Sequence, residues 1–251
     1  MKTLTDVKRF NMIEQQIRTW DVFDASILDL YDKIKREAYV PETYKKIAFT
    51  DVQIPLQHKQ YMLAPKQEAR VLQSLKLKPT DHILHIGTGT GFFAALLASL
   101  SKHVVTMDLF DNFLEEAKKI HQKDNLSNLS YVNDDGVQGN LDFAPYDVIV
   151  FTGGVLKEPL GLREQLKVGG KLFLFEGTKT LMQANLIEKV GQNEYESKSM
   201  FEDVIPFLIM KAKHLSLFFK CGKTIFKFYV DSLYKDQVIG IFVLYEFFFI
   251  Y

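Results

Sequence analysis

The chain has 251 residues, and 31 Lys and Arg balance 31 Asp and Glu, so the formal net charge is zero. That balance excludes a nucleic-acid binder working through bulk positive charge, and a single cysteine, Cys221, excludes a disulfide framework or a multi-cysteine metal site. With 47% hydrophobic and 25% charged residues, the composition is that of an ordinary soluble protein large enough to bury a sizeable core.

The N-terminal residues are charge-rich without an apolar stretch, so no secretory signal is expected. Phe10, Ile13, Ile17 and Trp20 recur at i, i+3, i+7 and i+10, which predicts one face of an amphipathic helix. A second helix is predicted from Ala25 to Glu37, with Asp24 as its cap and Val40-Pro41 beyond its end. Residues 43–65 read as irregular, and Lys66 to Leu75 as helical. From there short apolar strands alternate with helices. The predicted strands are His82–Ile86, His103–Met107, Leu129–Val132, Tyr146–Phe151 and Lys171–Phe175. The predicted helices are Phe92–Leu100, Phe110–Gln122 and Glu158–Leu166, and Gly169-Gly170 reads as a turn. Buried strands alternating with helices predict an α/β fold with a mostly parallel sheet covered on both faces. Asn185–Val190 and Met200–Leu208 are candidates for an antiparallel end.

The string Gly87-Thr-Gly89-Thr-Gly91 follows a strand and opens a helix. Glycines there allow a tight turn and close approach of backbone to a ligand. Asp108 ends the next strand, where a carboxylate can accept hydrogen bonds from both hydroxyls of a ribose. A phosphate-binding loop needs Gly-Lys-Ser/Thr, which does not follow, and a dinucleotide fingerprint needs glycine at the position of Phe92. The spacing instead resembles Rossmann-like S-adenosylmethionine-dependent methyltransferases. In that fold Asp135 and Gly136, after the third strand, would border the adenine. The other histidines (His58, His82, His103, His121 and His214) have no metal-ligand spacing and read as ordinary surface or strand residues, so no metal is expected.

Seven strings, in order, resemble the protein-L-isoaspartate O-methyltransferase family between Phe10 and Phe218. They are Lys35 to Glu42, Ile54 to Gln60, Ile83 to Gly91, Asp135 to Gly139, Tyr146 to Thr152, Leu166 to Leu172 and Val204 to Leu208. Met12 to Val22 and Leu63 to Lys66 resemble a divergent bacterial branch of that family. The resemblance implies a class I methyltransferase with a seven-stranded sheet and an N-terminal helical extension. It implies methyl transfer from S-adenosyl-L-methionine to the free carboxylate of isoaspartyl residues in damaged proteins. Carried over residue by residue, cofactor contacts would come from His85, Gly87, Thr88, Gly89, Gly91, Asp108, Asp135, Gly136 and Thr152. The loop from Gln60 to Lys66 would close over the methyl group, with Gln60 and Lys66 as candidate lining.

Two residues depart from the family pattern. Leu63 stands where the loop has Ser, and leucine donates no hydrogen bond. His85 stands where the family has Glu, and a neutral imidazole carries no fixed charge. They motivate a rival reading, a cofactor-binding homologue without isoaspartyl transfer; a methyltransferase for another substrate is a third.

The expected organisation is an N-terminal helical segment and loop (residues 1–65), a methyltransferase domain (66–219) and a tail (220–251). Of 21 Phe, 11 Tyr and one Trp, twelve lie between Phe218 and Tyr251. No apolar run reaches the ~20 residues of a membrane span. The nearest, Val238 to Tyr251, contains Glu246. The tail is therefore read as an extra hairpin, a membrane-surface or partner-binding segment, or a read-through end, the last preferred. A cytoplasmic enzyme acting on peptides or proteins is the expectation for the whole.

Overall fold

The computed structural model describes residues 3–211 in full and the backbone of 213–221, 224–232 and 247–248. The chain divides into two compact units, Met1–Leu208 and Ile209–Tyr251.

The first unit opens with α1 (Leu4–Met12), started by a capping box between Thr3 and Asp6. The helix does not continue as one α-face. Ile13–Ile17 is a π-helical turn and Arg18–Trp20 a 3-10 turn. A wider turn changes the angular step per residue, so the predicted stripe splits. Ile13 and Ile17 are buried, whereas Phe10 and Trp20 are largely exposed. Helix α2 (Ala25–Lys33) is capped by Asp24 as predicted, but it stops early at the extended Ile34, and Arg36–Tyr39 forms a separate short helix, α3. This break sends the Arg36 side chain into the core, where it is fully buried. A two-stranded hairpin, β1 (Ile54–Pro55) and β2 (Tyr61–Met62), leads into α4 (Pro65–Leu75), which starts on a proline.

The central sheet then assembles from β3 (His82–Ile86), β4 (His103–Asp108), β5 (Leu129–Asn133), β6 (Tyr146–Val155), β7 (Leu166–Gly177), β8 (Met182–Lys189) and β9 (Tyr195–Glu202). Its order is β5-β4-β3-β6-β7-β8-β9. The first five strands in that order are parallel, and β8 and β9 add the antiparallel end. Helices α5 (Phe92–Leu100) and α6 (Asp111–Lys123) provide the crossovers from β3 to β4 and from β4 to β5. β3, β4 and β6 are nearly continuous runs of buried residues, as strands covered on both faces must be. α5 is apolar almost all round and correspondingly buried. Its Phe92 ring meets Tyr31 and Tyr39 edge-on at 5.8 and 5.4 Å, which fastens the N-terminal helices to the sheet layer.

Three expectations need correction. Glu158–Leu166 is not a helix, because Pro159 and a left-handed Gly161 break it and only the turn Arg163–Gln165 remains. Gly169-Gly170 is not a turn between elements but a bulge within β7, where the register with β6 jumps between Tyr146 and Val148. Residues 203–208 are not a strand continuing β9. They return beside the end of β6, with Gly154 N–H donating to Pro206 O (2.8 Å) and Leu208 N–H to Gly154 O (3.0 Å).

In the second unit, β10 (Lys213–Cys221) pairs antiparallel with β11 (Thr224–Ser232), and β12 (Phe247–Phe248) adds to β11. Phe219, where the aromatic composition sets in, lies within β10. The rest of the tail, including most of Val238 to Tyr251, lies outside the described residues. Among the described residues no helix is long and apolar enough to cross a membrane.

Candidate active site

The strand order reverses direction at β3: the chain first builds outward through β4 and β5, then returns to β6 on the other side. In open α/β sheets the carboxyl ends of strands at such a switch point form the ligand crevice. That edge carries the glycine turn, Asp108, Asp135-Gly136 and Thr152.

The turn from Gly87 to Gly91 is held by backbone bonds. Gly87 and Thr88 N–H both donate to Met107 O at 2.9 and 3.2 Å, and Gly91 N–H donates to Thr88 O at 2.8 Å. Gly91 has φ +84° where it caps α5, and a Cβ there would lie 2.5 Å from Ala117 Cβ. Glycine is therefore required for α6 to pack against α5's start. Gly89 has φ +51° and a different surrounding, for a Cβ there meets only Leu56, at 3.6 Å.

Asp108 closes over this turn. Its Oδ2 accepts from Gly89 N–H (2.9 Å) and its Oδ1 from Phe110 N–H (3.0 Å). Burial raises its pKa, opposed by these backbone donors and by His58. Among the described residues no lysine or arginine pairs with it. A half-buried carboxylate with spare lone pairs suits neutral hydroxyl donors. Asn133 Nδ2–H donates to Asp108 O and Leu109 O, both at 3.1 Å, tying the ends of β4 and β5 together. Asp135 caps the turn Gly136–Gln138 through Val137 N–H (3.1 Å). Gly136 packs so closely on Ile86 that a Cβ would stand 2.5 Å from its Cγ2. Asp135 and Gly136 thus sit against the last residue of β3.

The β1–β2 hairpin covers this end. The His58 ring stacks on Phe110 at 3.8 Å, and Nε2 lies 3.1 Å from Asn112 Oδ1. Asn112 Nδ2–H donates to Gln57 Oε1 (2.9 Å). Gln60 belongs to the hairpin, its carbonyl accepting from Leu56 N–H (2.8 Å).

Beyond the hairpin, Leu63 points into the apolar core and is almost fully buried. Its carbonyl accepts from Arg36 (Nη2, 2.7 Å). Arg36 also donates to Ala48 O (Nε, 3.1 Å), forms a buried ion pair with Glu68 and lies over the Phe92 ring. Burial raises the Glu68 carboxyl's pKa, and the Arg36 cation and its hydrogen bond oppose that rise. Arg36 thus fixes the loop's backbone from below, a role the sequence did not signal. Lys66 is engaged elsewhere: Nζ lies 3.4 Å from Asp51 Oδ2 and 4.0 Å from the centre of the Trp20 ring. The structure brings together the turn, Asp108, Asp135, Gly136 and Thr152, and sets Leu63 and Lys66 in a neighbouring layer with partners of their own.

His85 is fully buried. Nδ1 lies 2.9 Å from Thr106 Oγ1, Nε2 3.1 Å from Thr152 Oγ1, and Thr88 Oγ1 2.7 Å from Thr106 Oγ1. Thr152 Oγ1 donates to Gly87 O at 2.7 Å. Burial and, to a lesser degree, nearby His121 together hold the His85 pKa down to about 3. His121 is no surface residue either. It is fully buried on α6, its Nε2–H donating to Gly91 O (2.9 Å) and its Nδ1 facing Tyr131 Oη (2.8 Å). Burial lowers its pKa as well. Among the described residues no three His, Cys, Asp or Glu side chains gather where they could hold a metal ion.

Residues 8–208 match the model of the protein-L-isoaspartate (D-aspartate) O-methyltransferase family. A protein-L-isoaspartate O-methyltransferase of Roseobacter denitrificans is 30% identical over 72% of this chain and 84% of its own. A solved protein-L-isoaspartate O-methyltransferase superposes with a TM-score of 0.70 at 19% identity, covering 89% of this chain and 86% of that one. A Plasmodium falciparum structure, provisionally named as the same enzyme and complexed with S-adenosyl-L-homocysteine, superposes with a TM-score of 0.67 at 16% identity. That match covers 82% of this chain and 99% of that one.

Proposed function

The chain belongs to the protein-L-isoaspartate O-methyltransferase family, and on that premise we propose that it methylates the free α-carboxylate of isoaspartyl residues in damaged proteins, using S-adenosyl-L-methionine. The observation that carries the cofactor reading is the pairing of Asp108 with Gly89. A carboxylate free of lysine and arginine partners among the described residues accepts from a glycine whose Cβ side meets only Leu56, at 3.6 Å. The residues present fit the group. Asp108 would hold the ribose hydroxyls, Gly87, Thr88, Gly89 and Gly91 would admit the nucleoside and methionine backbone closely, and Asp135 with Gly136 would border the adenine. Thr152 and His85 would act behind the turn.

Bound S-adenosylmethionine supplies a methyl group on a sulfonium, an electrophile that needs no acid or metal to activate it. The attacking carboxylate is already ionised near neutral pH, so no side chain has to take a proton. The protein's contribution is orientation and exclusion of water. The hairpin supports the latter, since Leu56 lies over Gly89 and His58 over Phe110. Leu63 supplies no donor, its side chain being packed in the core, and Gln60 and Lys66 would be the lining of the substrate's route. Lys66 would meet a substrate carboxylate only by leaving Asp51. A cytoplasmic enzyme acting on protein substrates is part of the same proposal.

Calorimetry with S-adenosylhomocysteine, followed by transfer to an isoaspartyl peptide, tests this reading. Binding with transfer supports it. Binding without transfer to any acidic peptide would favour the rival that Leu63 motivates, a homologue that binds cofactor only. No binding would contradict both.

A further inference from the structure

Thr152 Oγ1 and the Gly87 carbonyl oxygen lie 2.7 Å apart, so a proton must sit between them, and a carbonyl has none to give. Thr152 therefore spends its only proton on a carbonyl, Gly87 O being nearer than Ile86 O at 3.2 Å. His85 Nε2, 3.1 Å from the same hydroxyl oxygen, must then be the donor to it. In the neutral ring this leaves Nδ1 with a lone pair, which Thr106, at 2.9 Å, fills with its own proton. Thr88, 2.7 Å from Thr106, donates in turn. A single directed chain thus runs from Thr88 through Thr106, His85 and Thr152 to the Gly87 carbonyl, with each donor used once. It starts and ends on the glycine turn and passes through three strands, β4, β3 and β6.

The geometry points to His85 as a positioning residue for the cofactor turn: as the Nε2–H tautomer it sets the Gly87 carbonyl and the Thr88 hydroxyl without touching cofactor or substrate. The inference rests on the cofactor-binding reading above. Nothing around His85 supports the charged form. Its partners are Thr106 and Thr152, the Phe93 ring lies 5.5 Å away, and the nearest titratable group acting on it is His121, whose charge would oppose its own. A second proton on Nδ1 would face the Thr106 oxygen. Thr106 would have to turn its hydrogen toward Thr88, and the Thr88–Thr106 half of the chain would reverse.

The direction of the chain separates positioning from mere filling of space. Gln has a donor and an acceptor, so His85→Gln preserves the direction. His85→Leu supplies neither. The expected result, by calorimetry with S-adenosylhomocysteine, is a Kd for His85→Gln within about threefold of wild type. For His85→Leu the expected weakening is about tenfold or more, since it leaves a buried polar group unsatisfied. The KM for an isoaspartyl peptide should move little. Nitrogen NMR of the wild-type imidazole reads the tautomer without any variant: protonated Nε2 and bare Nδ1 support the inference, and the opposite tautomer overturns it. Wild-type binding with equal affinities for the Gln and Leu variants overturns it while leaving the functional reading intact. A wild-type protein that binds no cofactor overturns both.

Discussion

Adding one methyl group at Gly89 and at Gly91 should damage the protein in two different ways. At Gly91 the new Cβ would stand 2.5 Å from Ala117 Cβ and 3.1 Å from Ala117 Cα, in a backbone of φ +84°. Left-handed backbone costs a non-glycine residue about 1–2 kcal/mol, and forcing a methyl into a packed contact about 1–3 more, so Gly91→Ala should lose about 2–5 kcal/mol. At Gly89 the φ of +51° brings the same backbone cost, but the nearest atom is Leu56 Cδ1 at 3.6 Å. Gly89→Ala should therefore lose only about 1–2 kcal/mol. Its methyl instead projects from the turn toward Leu56 of the covering hairpin, and cofactor affinity should fall about tenfold or more. Urea denaturation of both variants at one pH, with calorimetry on Gly89→Ala, separates the effects. Equal stability losses at the two positions, or unchanged affinity in Gly89→Ala, would refute the reasoning.

Asp108→Ala removes a charged acceptor, and hydrogen bonds to charged groups are worth about 1.5–3 kcal/mol, so cofactor Kd should rise about 10- to 100-fold by calorimetry. An unchanged Kd would remove Asp108 from the site. Arg36→Met leaves Glu68 buried without its cation and releases the Leu63 carbonyl. A loss of about 3–5 kcal/mol in urea unfolding is expected, partly recovered in the double variant with Glu68→Leu. A loss near zero would show that the pair does not hold the loop. The depressed pKa of His85 makes stability depend on pH. Its contribution is complete above the unfolded value near 6.5 and shrinks as the solution is acidified, because the unfolded chain then takes up the proton that the folded state refuses. With a folded value of about 3, the loss amounts to about 2 kcal/mol between pH 6.5 and 5. Denaturation across that range should slope for wild type and slope less in His85→Gln, where His121, also held down by burial, still contributes; parallel curves would contradict this. We further propose that the methyltransferase fold is complete within the first compact unit, so a chain shortened to residues 1–211 should unfold cooperatively and keep its cofactor affinity. An insoluble or unfolded product would contradict it.

The core of the site was legible because its signals are local. A buried five-residue strand, three glycines at fixed spacing and an acidic residue at the end of the next strand lie within about two dozen positions, and β3, its turn and Asp108 follow directly from them. Local signals also misled. The apolar spacing of Glu158–Leu166 suggested a helix, although Pro159 and Gly161 within it decide otherwise. What was not legible depends on distant partners. His121 reaches Gly91 from thirty residues away, and Arg36 reaches Leu63 and Glu68 from about as far, contacts that no spacing reveals. Leu63 shows a further limit. Its place in the motif aligns with a catalytic hydroxyl, but its side chain lies in the core, and only its carbonyl is held for the loop.

The most direct measurement is methyl transfer from labelled S-adenosylmethionine to two peptides that differ only in one linkage, isoaspartyl or normal aspartyl, with release of labelled methanol from the ester as the readout. Label on the isoaspartyl peptide alone is the expected result. A protein that binds the cofactor yet labels neither peptide, or both equally, would contradict the proposed activity.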